Sequence, residues 1–115
     1  MQSRFCRGHR QCRNAPNYRW GQSSRLARQY HKVRGERDRY KFIGLKKGYH
    51  GTHFGCASVN GNANFRRNYE PLLPGTYHIP APWTYRNAFN TSDPVEIAKL
   101  CAALLDEEIK FQGPD

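Results

Sequence analysis

Tyr49 and His50 stand side by side, with Gly48 and Gly51 flanking them and Gly55 four residues further on. They close the run Tyr40 to Gly55, YKFIGLKKGYHGTHFG, which reads as a short buried strand opening into a glycine-bracketed loop. An aromatic and an imidazole on such a loop are a common way to present chemistry at the edge of a sheet. The plainer use of the same residues is a tyrosine packed on its own strand and a histidine that hydrogen-bonds its own loop. Ser23 and Ser24 can donate to an anion if a helix starts there. A reactive lysine must be desolvated or set beside another cation. Lys41, Lys46 and Lys47 lie in a basic stretch around the strand, so all three read as solvated. Cys6, His9 and Cys12 have zinc-ligand types in a C-x2-H-x2-C spacing, but no fourth ligand is evident and no metal site is expected.

The elements that would hold these residues follow from periodicity and caps. Ser24 is expected to cap a helix through Arg34, with Leu26, Ala27, Tyr30 and Val33 at helical spacing and Gly35 as the stop. A charged turn, Gly35 to Arg39, leads to a strand over Tyr40 to Leu45 that fits burial on both faces. Gly48, Gly51 and Gly55 punctuate the loop after it. Short helical pieces are expected around Phe54 to Val59 and Asn64 to Tyr69, and a loosely strand-like stretch at Tyr77 to Ile79. Pro71, Pro74, Pro80 and Pro82 enforce extended, irregular backbone. The last helix is the clearest: Asp93 caps, Pro94 takes the first helical position and Glu96 completes a capping box. Its apolar stripe is Ile97, Leu100, Cys101, Leu104 and Leu105, and Gly113 lies past its end. Helix, strand, loop and helix in this order make an α/β chain.

At 115 residues the chain is one domain at most. Its formal charge of +10 is lopsided, because fourteen of its 19 Lys and Arg lie in residues 1–47. A basic half means a polyanion partner or a solvated face. With Tyr18 and Trp20 among those charges, the alternative function is a small basic nucleic-acid-binding protein. No run of eighteen apolar residues provides a membrane span, and the N-terminus has no apolar core of a secretory signal.

The wording of four stretches is more specific. RLARQYHKVRG, KFIGLKKGYHG, NANFRRNYEPLLPGTYHIPAPWTYRN and DPVEIAKLCAALLDEEIKFQGPD occur in this order with almost no gaps between about Arg25 and Asp115. Together they closely resemble the class III pyridoxal-phosphate-dependent aminotransferases, the group that includes the omega-amino-acid:pyruvate enzymes. The resemblance implies part of a fold type I large domain, with three layers and a mostly parallel sheet. It implies pyridoxal 5'-phosphate as cofactor, an amino donor and a keto-acid acceptor as substrates, a homodimer or higher in the full-length enzyme, and a cytoplasmic setting with reduced thiols. Tyr49 falls where the family places an aromatic against the pyridine ring, with Gly48 and Gly51 letting the backbone turn beside it. His50 either positions the cofactor or hydrogen-bonds the loop. Ser23 and Ser24 fall on the phosphate loop, where Arg19 and Trp20 depart from the family's glycine-rich pattern.

By the same resemblance, the lysine that carries the cofactor covalently and the acid that pairs with the pyridine nitrogen lie beyond Asp115. No catalytic residue is therefore expected in this chain, which is read as an inactive fragment. Residues 1–24 are expected to be disordered or translated out of frame. With suitable wobble bases, the codons for Asn17 to Arg25, read from the second base, give a glycine-rich Thr-Thr-Gly-Gly-Ala-Asn-Pro-Ala.

Overall fold

A computed structural model describes residues 16–113, and of residues 16–20 only the backbone. The Cys6, His9 and Cys12 triplet lies outside the described residues. The elements in order are α1 (Pro16–Val33), β1 (Phe42–Leu45), α2 (Phe54–Val59), a single 3₁₀ turn (Ala63–Phe65), β2 (Thr76–Ile79) and α3 (Pro94–Gln112). β1 and β2 form a two-stranded parallel sheet with Phe42 opposite Thr76 and Leu45 opposite Ile79. Parallel neighbours need a crossover, and the loop, α2 and the 3₁₀ turn supply it. The result is a small α/β arrangement around a two-stranded parallel sheet.

α1 departs from the sequence expectation. It begins at Pro16, eight residues before Ser24, so Ser24 is interior and caps nothing. Proline suits a first helical position, and two serines inside a helix do not stop it. The Ser24 hydroxyl instead donates back to the Gly21 carbonyl at 3.1 Å. The expected apolar stripe is also turned outward, with Leu26 at 67% and Val33 at 81% exposure. The half-buried positions are Gly21, Ser24, Ala27, Arg28 and His31, a small and polar stripe at the same spacing. Gly35 ends the helix at a φ of 84°, where glycine is favoured. In the turn that follows, Glu36 meets His31 Nδ1 at 2.6 Å and Arg34 Nε at 3.3 Å. The hydrogen bond from His31 is the chief reason its carboxyl is held below the ordinary value.

β1 is shorter than expected, and only its Gly44 is fully buried. A Cβ at Gly44 would sit 3.0 Å from the Val59 carbonyl, so the close approach of α2 to β1 favours glycine. Gly55 lies in the first turn of α2 and not in the loop. The core is small: Cys56, Ala57, Val59, Ile79, Ile97 and Cys101, with Ser58 and Asn60 buried beside them. Both core cysteines are buried, and burial pushes the Cys56 thiol up. The α3 cap forms through Asp93, whose carboxylate accepts from Val95 N and Glu96 N at 3.1 and 3.3 Å. The capping box is not closed, because Glu96 accepts from the Thr91 hydroxyl at 2.7 Å. Of the α3 stripe, Ile97 and Cys101 are buried, whereas Leu100 and Leu105 are each 37% exposed.

Candidate active-site loop

The loop after β1 is anchored before it turns. Lys46 N donates to Ile79 O at 2.8 Å, extending the sheet ladder by one residue. Gly48 N then donates to Leu45 O at 3.0 Å, closing a tight turn with Lys47 at a φ of 68°. A Cβ on Gly48 would lie 2.9 Å from the Leu45 carbonyl and 3.3 Å from His50 Nε2. Gly51 is buried at a φ of 113°, a conformation closed to other residues. Between these two glycines the Tyr49 side chain stands half exposed, its ring 5.0 Å from that of Phe65 at 57°. His50 is half-buried. Burial, followed by the nearby His78, holds its imidazole below the ordinary value, so it stays neutral at pH 7. His78 is itself fixed by its Nε2, which donates to Val59 O at 3.0 Å.

Of the six nominated residues, the structure brings together Gly48, Tyr49, His50 and Gly51. Ser23 and Ser24 do not join them. Ser24 borders a cavity of about 460 Å3 between α1, β1 and α2, also lined by Arg25, Phe42, His53 and Cys56, and no loop residue from 48 to 51 lines it. Inside a helix the backbone N–H groups of both serines are committed to carbonyls four residues back, so they hold no anion. Gly48, Tyr49, His50 and Gly51 thus present a half-exposed aromatic face on a loop, while Ser23 and Ser24 lie on a separate helix with their backbone N–H groups already used. Of the three lysines weighed from the sequence, Lys41 donates to Gln112 O, Lys46 is exposed, and Lys47 sits 5.2 Å over the Trp83 ring.

Sequence reasoning missed Asn60, Gly61 and Phe65. Asn60 is fully buried, yet its amide is spent on the loop. Asn-Gly is an ordinary turn signal, and only the fold shows that this one lies against residues 47–51.

The sequence pattern of the family described as aminotransferase class-III matches residues 21–111. A probable aminotransferase of Mycobacterium tuberculosis is 35% identical over 91 residues, covering 79% of this chain and 19% of its own length. An adenosylmethionine-8-amino-7-oxononanoate aminotransferase of Methanocaldococcus jannaschii is 44% identical over 62 residues, covering 54% of this chain and 13% of its own. This chain thus spans less than a fifth of the length of either curated relative. Among solved structures, a PLP-bound amine transaminase from an uncultivated Pseudomonas species superposes with a TM-score of 0.83 at 35% identity, over 86% of this chain and 22% of that one. The omega transaminase of Pseudomonas jessenii in complex with PMP gives 0.80 at 27% identity, over 88% and 22%.

Proposed function

The chain belongs to the class-III aminotransferase family, whose cofactor is pyridoxal phosphate, and we propose that it forms one wall of that cofactor's site. The observation that carries this reading is the Tyr49 ring, half exposed on a loop whose neighbours are hydrogen-bonded on both sides. An aromatic face held this way buries one side of a pyridine ring and fixes its plane. Gly48 and Gly51 keep the backbone close beneath it, and His50 offers a neutral imidazole beside it. Bound there, the cofactor supplies the electron sink for transfer of an amino group. The whole enzyme is proposed to move that group between an amine or omega-amino acid and a keto acid such as pyruvate. The 115-residue chain alone is proposed to be inactive, because Ser23 and Ser24 have their backbone N–H groups inside a helix and Lys41, Lys46 and Lys47 are each exposed or engaged elsewhere. The residues ahead of the family match, which begins at residue 21, are proposed to be an out-of-frame stretch, which the coding DNA decides.

Turnover of an omega-amino acid with pyruvate tests the activity reading. The expected result is alanine formation no faster than free cofactor gives, for the native chain and for Tyr49→Ala alike. Alanine formation above that background, abolished in Tyr49→Ala, would show a complete catalyst.

A further inference from the structure

Asn60 is fully buried at the end of α2, where an unpaired amide is costly. Its side chain reaches across to the loop and satisfies two groups there. Oδ1 accepts from His50 N at 2.6 Å, and Nδ2 donates to Gly51 O at 2.9 Å. Only one orientation of the amide satisfies both, since a carbonyl cannot donate to a carbonyl. Its neighbour Gly61 completes the attachment through the backbone. Gly61 N donates to Gly48 O at 2.8 Å, and Lys47 N donates to Gly61 O at 3.0 Å. A Cβ on Gly61 would fall 2.0 Å from Leu45 O and 2.8 Å from Lys47 N, so only glycine lets the two backbones approach this closely. Residues 47, 48, 50 and 51 are each tied to the Asn60–Gly61 pair, and Tyr49 is the residue between them.

We propose that Asn60 is a positioning residue: its buried amide clamps the loop backbone on the C-terminal side of Tyr49 and so sets the plane of that ring. The inference rests on the reading of Tyr49 as a cofactor wall. Phe65 backs the ring from one side, and Asn60 fixes the backbone from which it projects. An aliphatic residue at position 60 fills the space but leaves His50 N–H and Gly51 C=O without partners. A carboxylate keeps the acceptor for His50 N–H at every pH and donates to Gly51 O only when protonated.

The test has two readouts on the full 115-residue chain. The first is amide hydrogen exchange at neutral pH. The native His50 amide is expected to exchange at least tenfold more slowly than an unstructured one. Asn60→Ala is expected to remove that protection while leaving the Ile97 amide, bonded to Asp93 O in α3, within twofold of native. Asn60→Asp is expected to retain most of the His50 protection. The second readout is the affinity of pyridoxamine 5'-phosphate, which cannot form imines with surface lysines. Asn60→Ala is expected to weaken it as much as Tyr49→Ala does, and the double variant no further, because both remove one contact.

An unprotected His50 amide in the native chain, equal exchange in native and Asn60→Ala, or affinity losses that add in the double variant would each overturn the positioning role. Protection lost in Asn60→Ala while Tyr49→Ala leaves the affinity unchanged would overturn the cofactor wall and retain Asn60 as the holder of the loop.

Discussion

The crossover from β1 to β2 and the two long helices beside it are built on different terms. In the crossover, hydrogen bonds join residues close in sequence: Lys47 and Gly48 to Gly61, His50 and Gly51 to Asn60, and Leu73 N to the Ser58 hydroxyl at 3.0 Å. Three of its residues, Cys56, Ala57 and Val59, make up half of the apolar core. In α1 and α3 the apolar residues largely face water, among them Leu26, Tyr30 and Val33 on one helix and Val95, Ile109 and Phe111 on the other. α3 is held chiefly where Ile97 and Cys101 are buried against the rest of the chain. Amphipathic helices are stabilised mainly by what covers their apolar face. The loop needs only its own neighbours to be shaped, whereas the helices carry faces that this chain does not cover.

The comparison breaks if the two regions respond as one. Ile97→Ala should have the largest effect, about 3 kcal/mol for deleting a fully buried aliphatic side chain. Amide exchange should show α3 released and the His50 amide still slow. Gly61→Ala should do the reverse at about 2 kcal/mol, because the added methyl forces residue 61 away from Leu45 and Lys47 and so off the loop. Loss of both regions in either variant would mean a single cooperative unit.

How much of this was legible beforehand follows the same division. Elements defined by local chemistry were read nearly to the residue: α2, β2 and the α3 start from Asp93 and Pro94, whereas β1 was read two residues too long. What failed were inferences about which face is covered and where a weak boundary falls. The Leu26, Tyr30 and Val33 stripe signals a buried face by periodicity, but burial is decided by what lies opposite. Ser24 resembles a cap only if the chain before it is not already helical. The loop at 48–51 was legible as a loop because its glycine spacing is a backbone requirement. Asn60 and Phe65 were not, because their roles depend on contacts made across the crossover.

A smaller effect comes from pH. The folded-state value of His50 lies below the ordinary one, so the unfolded loop takes up a proton first as pH falls. Protection of the His50 amide, corrected for intrinsic exchange, should be full above the ordinary imidazole value of about 6.5 and decline below it. A rise in protection on acidification would reverse the assigned cause, which is burial first and His78 second. Smallest of all, Leu26→Gln and Val33→Gln should change stability by less than about 0.5 kcal/mol, since both side chains are already in water. Light scattering should show less self-association with both changes in place, because a bare apolar stripe is removed.

The most decisive measurement is a titration with pyridoxamine 5'-phosphate by isothermal calorimetry, comparing the native chain with Tyr49→Ala. Aromatic stacking beyond simple burial contributes about 0.5–1.5 kcal/mol, so the substitution should weaken binding between about twofold and tenfold. Equal affinity in the two proteins would show that the Tyr49 loop is not a wall for the pyridine ring.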